Sequence, residues 1–170
     1  MAFAALLLAV FLDAGLRPLT PAFLGLDTAP PDLPFLVALY LGARARGAAP
    51  LYLAVLLGAM QDCFSAWPVG HFAFLFGAVA VLGRRLSRYL TPDAGPSFAI
   101  LALFCGFAYA FFGLVVVILS GSPHAAGFGE AFCRALTSAL AAPFVYPLLE
   151  RWGPLRRVGH RRRFELVGWS

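Results

Sequence analysis

Charges in this chain do not alternate with apolar residues; they stand alone between long apolar runs. Residues 97–119, "SFAILALFCGFAYAFFGLVVVIL", form one unbroken run of the length needed to cross a bilayer as a helix, about 20 residues. The other runs are shorter or close on a polar residue. Six helical spans are predicted, near 1–16, 31–43, 47–64, 70–83, 97–119 and 130–149, with a short basic tail over 151–170. Residues 1–150 then form a single all-α membrane domain, with about six transmembrane helices in one bundle. The run at 31–43 is the shortest, and reads either as a full span or as a half-span shielded by its neighbours. "MAFAALLLAVFLDAG" lacks a positive leader and a small-residue cleavage site, so it reads as a retained first span.

Composition supports lipid as the solvent. Hydrophobic residues are 61% and charged residues 12%, against about 25% charged in a typical soluble domain. Mean hydropathy is +0.83. All 13 basic residues are arginine. With six spans and a cytoplasmic N-terminus, Arg44, Arg46, Arg84, Arg85, Arg88 and the six arginines of the tail share the cytoplasmic side, leaving Arg17 and Arg134. That bias satisfies the positive-inside rule and predicts a multi-pass inner-membrane protein with both termini cytoplasmic. The net charge of +5 sits at the ends of apolar runs, not on a basic face, so nucleic-acid binding is not expected. The arginine-rich tail instead suits anionic lipid.

Small residues recur at helical spacing. Ala54, Gly58 and Asp62 share one face of the third span, Ala102, Gly106 and Ala110 one face of the fifth, and Ala131, Ala135 and Ala139 one face of the sixth. Such strips pack helices closely in lipid. Pro143 and Pro147 should bend the sixth span.

"GAMQDCFSAWPVG" puts Asp62 after fifteen uncharged residues and before a Pro68–Gly70 turn. An intramembrane carboxylate is costly without a partner. Asp62 reads as structural, capping backbone N–H groups of the turn or pairing with a cation; a proton or ligand site and a partner contact are the alternatives. Arg134, four residues after Glu130, is the natural cation, and Asp13 and Glu130 compete for it. A cap predicts that Asp62→Asn is tolerated; an ion pair predicts that it is not. His71 reads as a polar end residue. Cys63, Cys105 and Cys133 read as buried apolar cysteines, with no metal or redox spacing. No catalytic constellation or cofactor motif is evident, so an enzyme is not expected.

The stretch "PPDLPFLVALYLGARARGAAPLYLAVLLGAMQDCFSAWPVGHFAF" resembles the MreD family of bacterial rod shape-determining membrane proteins. Pro31-Asp32 opens an apolar run that ends in a short basic loop. Gly58 and Asp62 fit the family's Gly-x-x-x-Asp near the end of a span, and Pro68 and Gly70 its Pro-x-Gly turn. The closing "ALAAPFVYPLLERW" is also similar, whereas His71 and the tail "HRRRFELVGWS" depart from the pattern. The resemblance implies a non-catalytic scaffold or regulatory role in the cell-elongation complex that builds peptidoglycan. Its implied partners are MreC, MreB, RodA and a class B penicillin-binding transpeptidase, with the small-residue faces holding membrane partners. It also implies a six-helix fold similar to the substrate-binding subunits of energy-coupling-factor transporters. A solute-binding transporter subunit is the alternative; Tyr40, Tyr52, Tyr109, Thr137 and Ser138 are its few polar groups.

Overall fold

The computed structural model describes residues 31–44, 47–65, 69–90, 95–120 and 128–151. These are all-helical: α1 (Leu33–Arg44), α2 (Ala49–Cys63), α3 (His71–Leu86), α4 (Gly95–Ser120) and α5 (Phe128–Arg151). Residues 1–16 and the tail beyond 151 lie outside the described residues. Two helices are long and apolar enough to cross a membrane, over Gly95–Val116 and Phe132–Arg151. Helix α5 is continuous through Pro143 and Pro147.

α1 is the centre. Every residue from Pro34 to Gly42 is buried, so this short helix has no lipid-facing side. At 12 residues it is about 18 Å long, against about 30 Å of bilayer hydrocarbon. It is walled by α3 and α2 and by the paired α4 and α5.

α1 and α5 run parallel in constant register. Asp32 meets Ser138, Tyr40 meets Tyr146 and Arg44 meets Glu150, each pair 106 residues apart. α1 and α3 are also parallel: Phe35 and Phe76 both reach Tyr109, a Cβ on Gly42 further along would lie 2.2 Å from the Ala80 carbonyl oxygen, and Arg84 reaches the Gly47 carbonyl just past the end of α1. Phe35 and Phe76 both reach the Tyr109 ring, at 5.3 and 6.1 Å between centroids.

The small-residue strips are occupied within the chain. A Cβ on Gly58 would fall 2.3 Å from the Phe72 carbonyl oxygen, and one on Gly106 3.1 Å from the Ala135 Cβ. Ala54, Ala102, Ala110, Ala135 and Ala139 are buried. Large apolar side chains face outward instead. Phe132, Leu136, Leu140, Phe144 and Leu148 form an exposed stripe at i, i+4 spacing on α5, as a lipid-facing surface requires. Of the cysteines, Cys105 is buried as expected, but Cys63 and Cys133 are exposed. Small enough to pass for core residues, they sit on outward helix faces.

Candidate functional site: two buried carboxylates at helix starts

The four N–H groups that begin a helix have no partner within it. In α3 the N-cap is Gly70, at φ +95° and without a side chain to offer. Asp62, the penultimate residue of α2, supplies the acceptor instead. Its Oδ1 accepts the Phe72 N–H at 2.8 Å, and its Oδ2 accepts those of Gly70 at 3.0 Å and Ala73 at 3.2 Å. Gly58, one turn earlier on the same face, removes the bulk that would hold Phe72 and Ala73 away. The Gly-x-x-x-Asp spacing is therefore one device: glycine admits the start of α3 and aspartate caps it. A negative carboxylate there also meets the positive end of the helix dipole.

All three of these donors are backbone N–H groups, none the Arg134 guanidinium. Both oxygens are engaged. An Asn amide has one acceptor oxygen, and its NH2 would face a donor. The structure thus alters the substitution pattern expected of a cap: asparagine should be harmful as well. Arg134 lies half-buried on α5; the Glu130 side chain and Pro68 fall outside the described residues, so the proposed Glu130–Arg134 pair does too.

Asp32 does for α1 what Asp62 does for α3. Its Oδ1 accepts the Phe35 N–H at 3.0 Å, three residues on, as an N-cap should. Two other helices close over it: Tyr109 of α4 donates its hydroxyl to Oδ2 at 3.4 Å, and the Asp32 N–H donates to Ser138 Oγ of α5 at 2.9 Å. Asp32 and Asp62 are both buried, and Tyr109, which bonds to Asp32, also stacks on Phe76 of the helix that Asp62 caps.

The opposite end carries the cations. Arg44 pairs with Glu150 and lies over the Tyr146 ring, 6.0 Å from its centroid. The Tyr146 hydroxyl donates to the same Glu150 oxygen at 3.0 Å. Arg84 donates to the Gly47 carbonyl at 2.9 Å. Arg44, Arg84, Arg85 and Arg151 stand in the last turns of α1, α3 and α5, whereas Arg134 lies near the start of α5. Sequence reasoning had noted Tyr109 and Ser138 only as scattered polar groups, and missed Glu150 and Gly42 as contact residues. A glycine in a buried run at Gly42 was the available signal; nothing local marks Glu150.

Chemically, Asp62 spends its acceptors on backbone donors of the next helix, and Asp32 divides its own between its helix and the Tyr109 hydroxyl of α4, which makes both carboxylates ties between helices. Among the described residues, no group of three or more His, Cys, Asp or Glu could hold a metal. Nothing among curated proteins or solved structures matches the chain. The family model for rod shape-determining protein MreD matches residues 1–152. That match runs through every described helix and includes the Gly58–Asp62 device, and the chain accordingly belongs to the MreD family of membrane proteins, whose role is in determining rod shape.

Proposed function

We propose that the chain is a non-catalytic scaffold and regulatory subunit of the cell-elongation complex, holding MreC, MreB, RodA and a class B penicillin-binding transpeptidase together during peptidoglycan synthesis. The family match over residues 1–152 carries this reading. The geometry supports it, because Asp62 ties α2 to α3, and Asp32, Tyr109 and Ser138 tie α1 to α4 and α5, so all five described helices are held to a neighbour through a buried aspartate. The protein spans the inner membrane six times in a fold similar to the substrate-binding subunits of energy-coupling-factor transporters. The carboxylate end faces outward and the arginine end the cytoplasm, with the tail on anionic lipid. Partner spans dock on the outward apolar faces, since the small-residue strips are used internally.

Depletion in a rod-shaped host should give rounded cells with unchanged solute uptake. Normal rods with a vitamin auxotrophy would favour a transporter subunit instead. Reporter fusions at Arg88 and Ser170 should read cytoplasmic and one at His124 external; an external signal at Ser170 would reject the six-span arrangement.

A further inference from the structure

We infer that the apolar run over residues 1–16 docks along α1 in an opening between α5 and α2, where it covers Val37 and Leu41 and brings Arg17 to Gln61. The direction of the run rests on the six-span orientation proposed above; its place does not.

α1 is enclosed on every side, and its described neighbours are too few to enclose it. All nine residues from Pro34 to Gly42 are buried. Equal cylinders shut in a central one only when about six surround it, since each takes up about 60° of the circumference. Among the described helices α1 has four neighbours, α2, α3, α4 and α5, which leaves about a third of its circumference to something else.

Contacts locate that third. A Cβ on Gly42 would meet the Ala80 backbone and one on Gly83 the Leu39 side chain, so Gly42 and Leu39 face α3. Phe35 and Tyr40 reach Tyr109 and Phe98 of α4, and Tyr40 and Arg44 reach Tyr146 and Glu150 of α5. Val37 and Leu41 fall about 100–160° round from Gly42 and Leu39, beyond Tyr40 and Arg44. α2 packs on α1 and α3 but not comparably on α5, so this side of α1 lies between α2 and α5. Val37 is nevertheless 5% and Leu41 1% exposed.

Chain outside the described residues must supply the cover. To run the length of α1 it needs about twelve helical residues, or about 18 Å. Only 1–30 and 152–170 are long enough, and the latter carries Arg156, Arg157, Arg161, Arg162 and Arg163, which an apolar face would strand without partners. Residues 1–16 hold one charged side chain, Asp13, and as a helix reach about 24 Å.

α2 makes a matching demand. Gly58 and Asp62 face α3. Gln61, about 100° round the helix from Asp62, is 8% exposed, and its Oε1 has no hydrogen-bond partner among the described residues. An acceptor buried in this way calls for a donor. The run offers no side-chain donor, but Arg17, next after Leu16, offers several N–H groups. Asp13, one turn earlier, balances its charge.

Disulfide scanning of the full chain in native membranes tests the docking. The chain is tagged before Met1, has a protease site after Leu24, and carries Cys63→Ser, Cys105→Ala and Cys133→Ser. Val37→Cys or Leu41→Cys is paired with single cysteines over residues 3–14 and oxidised, and a cross-link keeps the tag on the larger fragment after cleavage. Cross-links should recur every three or four positions, at yields at least about five times those with Val81→Cys on the outward side of α3. The best partner of Leu41→Cys should lie about four positions nearer Met1 than that of Val37→Cys. Yields no higher than the Val81→Cys control at every position would overturn the docking. Partners displaced the other way would uphold it and reject the six-span orientation. Arg17→Leu should lower the membrane level several-fold, and adding Gln61→Leu should restore part of it; an unchanged level in Arg17→Leu would overturn the contact with Gln61.

Discussion

Gly58→Ala should largely abolish accumulation of the protein in the membrane. The new Cβ would fall 2.3 Å from the Phe72 carbonyl oxygen and 2.5 Å from the Ala73 Cα. Both are backbone atoms of another helix, so no side chain can turn aside. The start of α3 must retreat from α2, and it then leaves Asp62, whose carboxylate reaches the same two residues. Overpacking typically costs about 1–3 kcal/mol, and losing the cap adds to it. Gly113→Ala is the control, because its Cβ would find only Leu75 Cδ1 at 3.9 Å. Membrane level and thermal stability in detergent should fall sharply for Gly58→Ala and stay near wild type for Gly113→Ala. Equal behaviour would show that the α2–α3 approach is looser than described.

Removal of the Asp62 carboxylate should have the second large effect. Asp62→Ala leaves three donors without acceptors at the start of α3, each costing about 1–3 kcal/mol where buried. Asp62→Asn should fall between wild type and alanine, because one oxygen can serve Phe72, or Gly70 and Ala73, but not both sets. Arg134→Gln should neither reproduce nor rescue these losses, since the cap is made without it. Measured in membranes, protein level should rank Asp above Asn above Ala, with cell rounding in step. If Asn accumulates normally while cells still round up, the carboxylate serves a partner instead of the fold. If Arg134→Gln restores the Asn variant, an ion pair operates after all.

Much of this arrangement was written in the chain. The apolar runs place five of the helices to within a few residues, because an apolar stretch in lipid can satisfy its backbone only as a helix. The spacing of Gly58 and Asp62 by itself puts them on one helix face. The arginines mark the ends of three of the helices, and Arg44 and Arg84 there contact Glu150 and the Gly47 carbonyl.

What acts on those faces was not legible. The donors to Asp62 lie eight to eleven residues away across a turn, and the partners of Asp32 lie 77 and 106 residues away. In water a buried helix announces itself by apolarity all round. In lipid the same apolarity describes core and periphery alike, so the chain could not say that α1 is wholly enclosed while α5 shows a stripe of large side chains to the outside. That choice is made by packing: glycine clearances at Gly42 and Gly58 set which backbones can touch, and the resulting registers decide depth. Composition therefore determined the solvent and the local helices, whereas the meeting of distant helices decided that Asp32 and Asp62 would be buried helix caps.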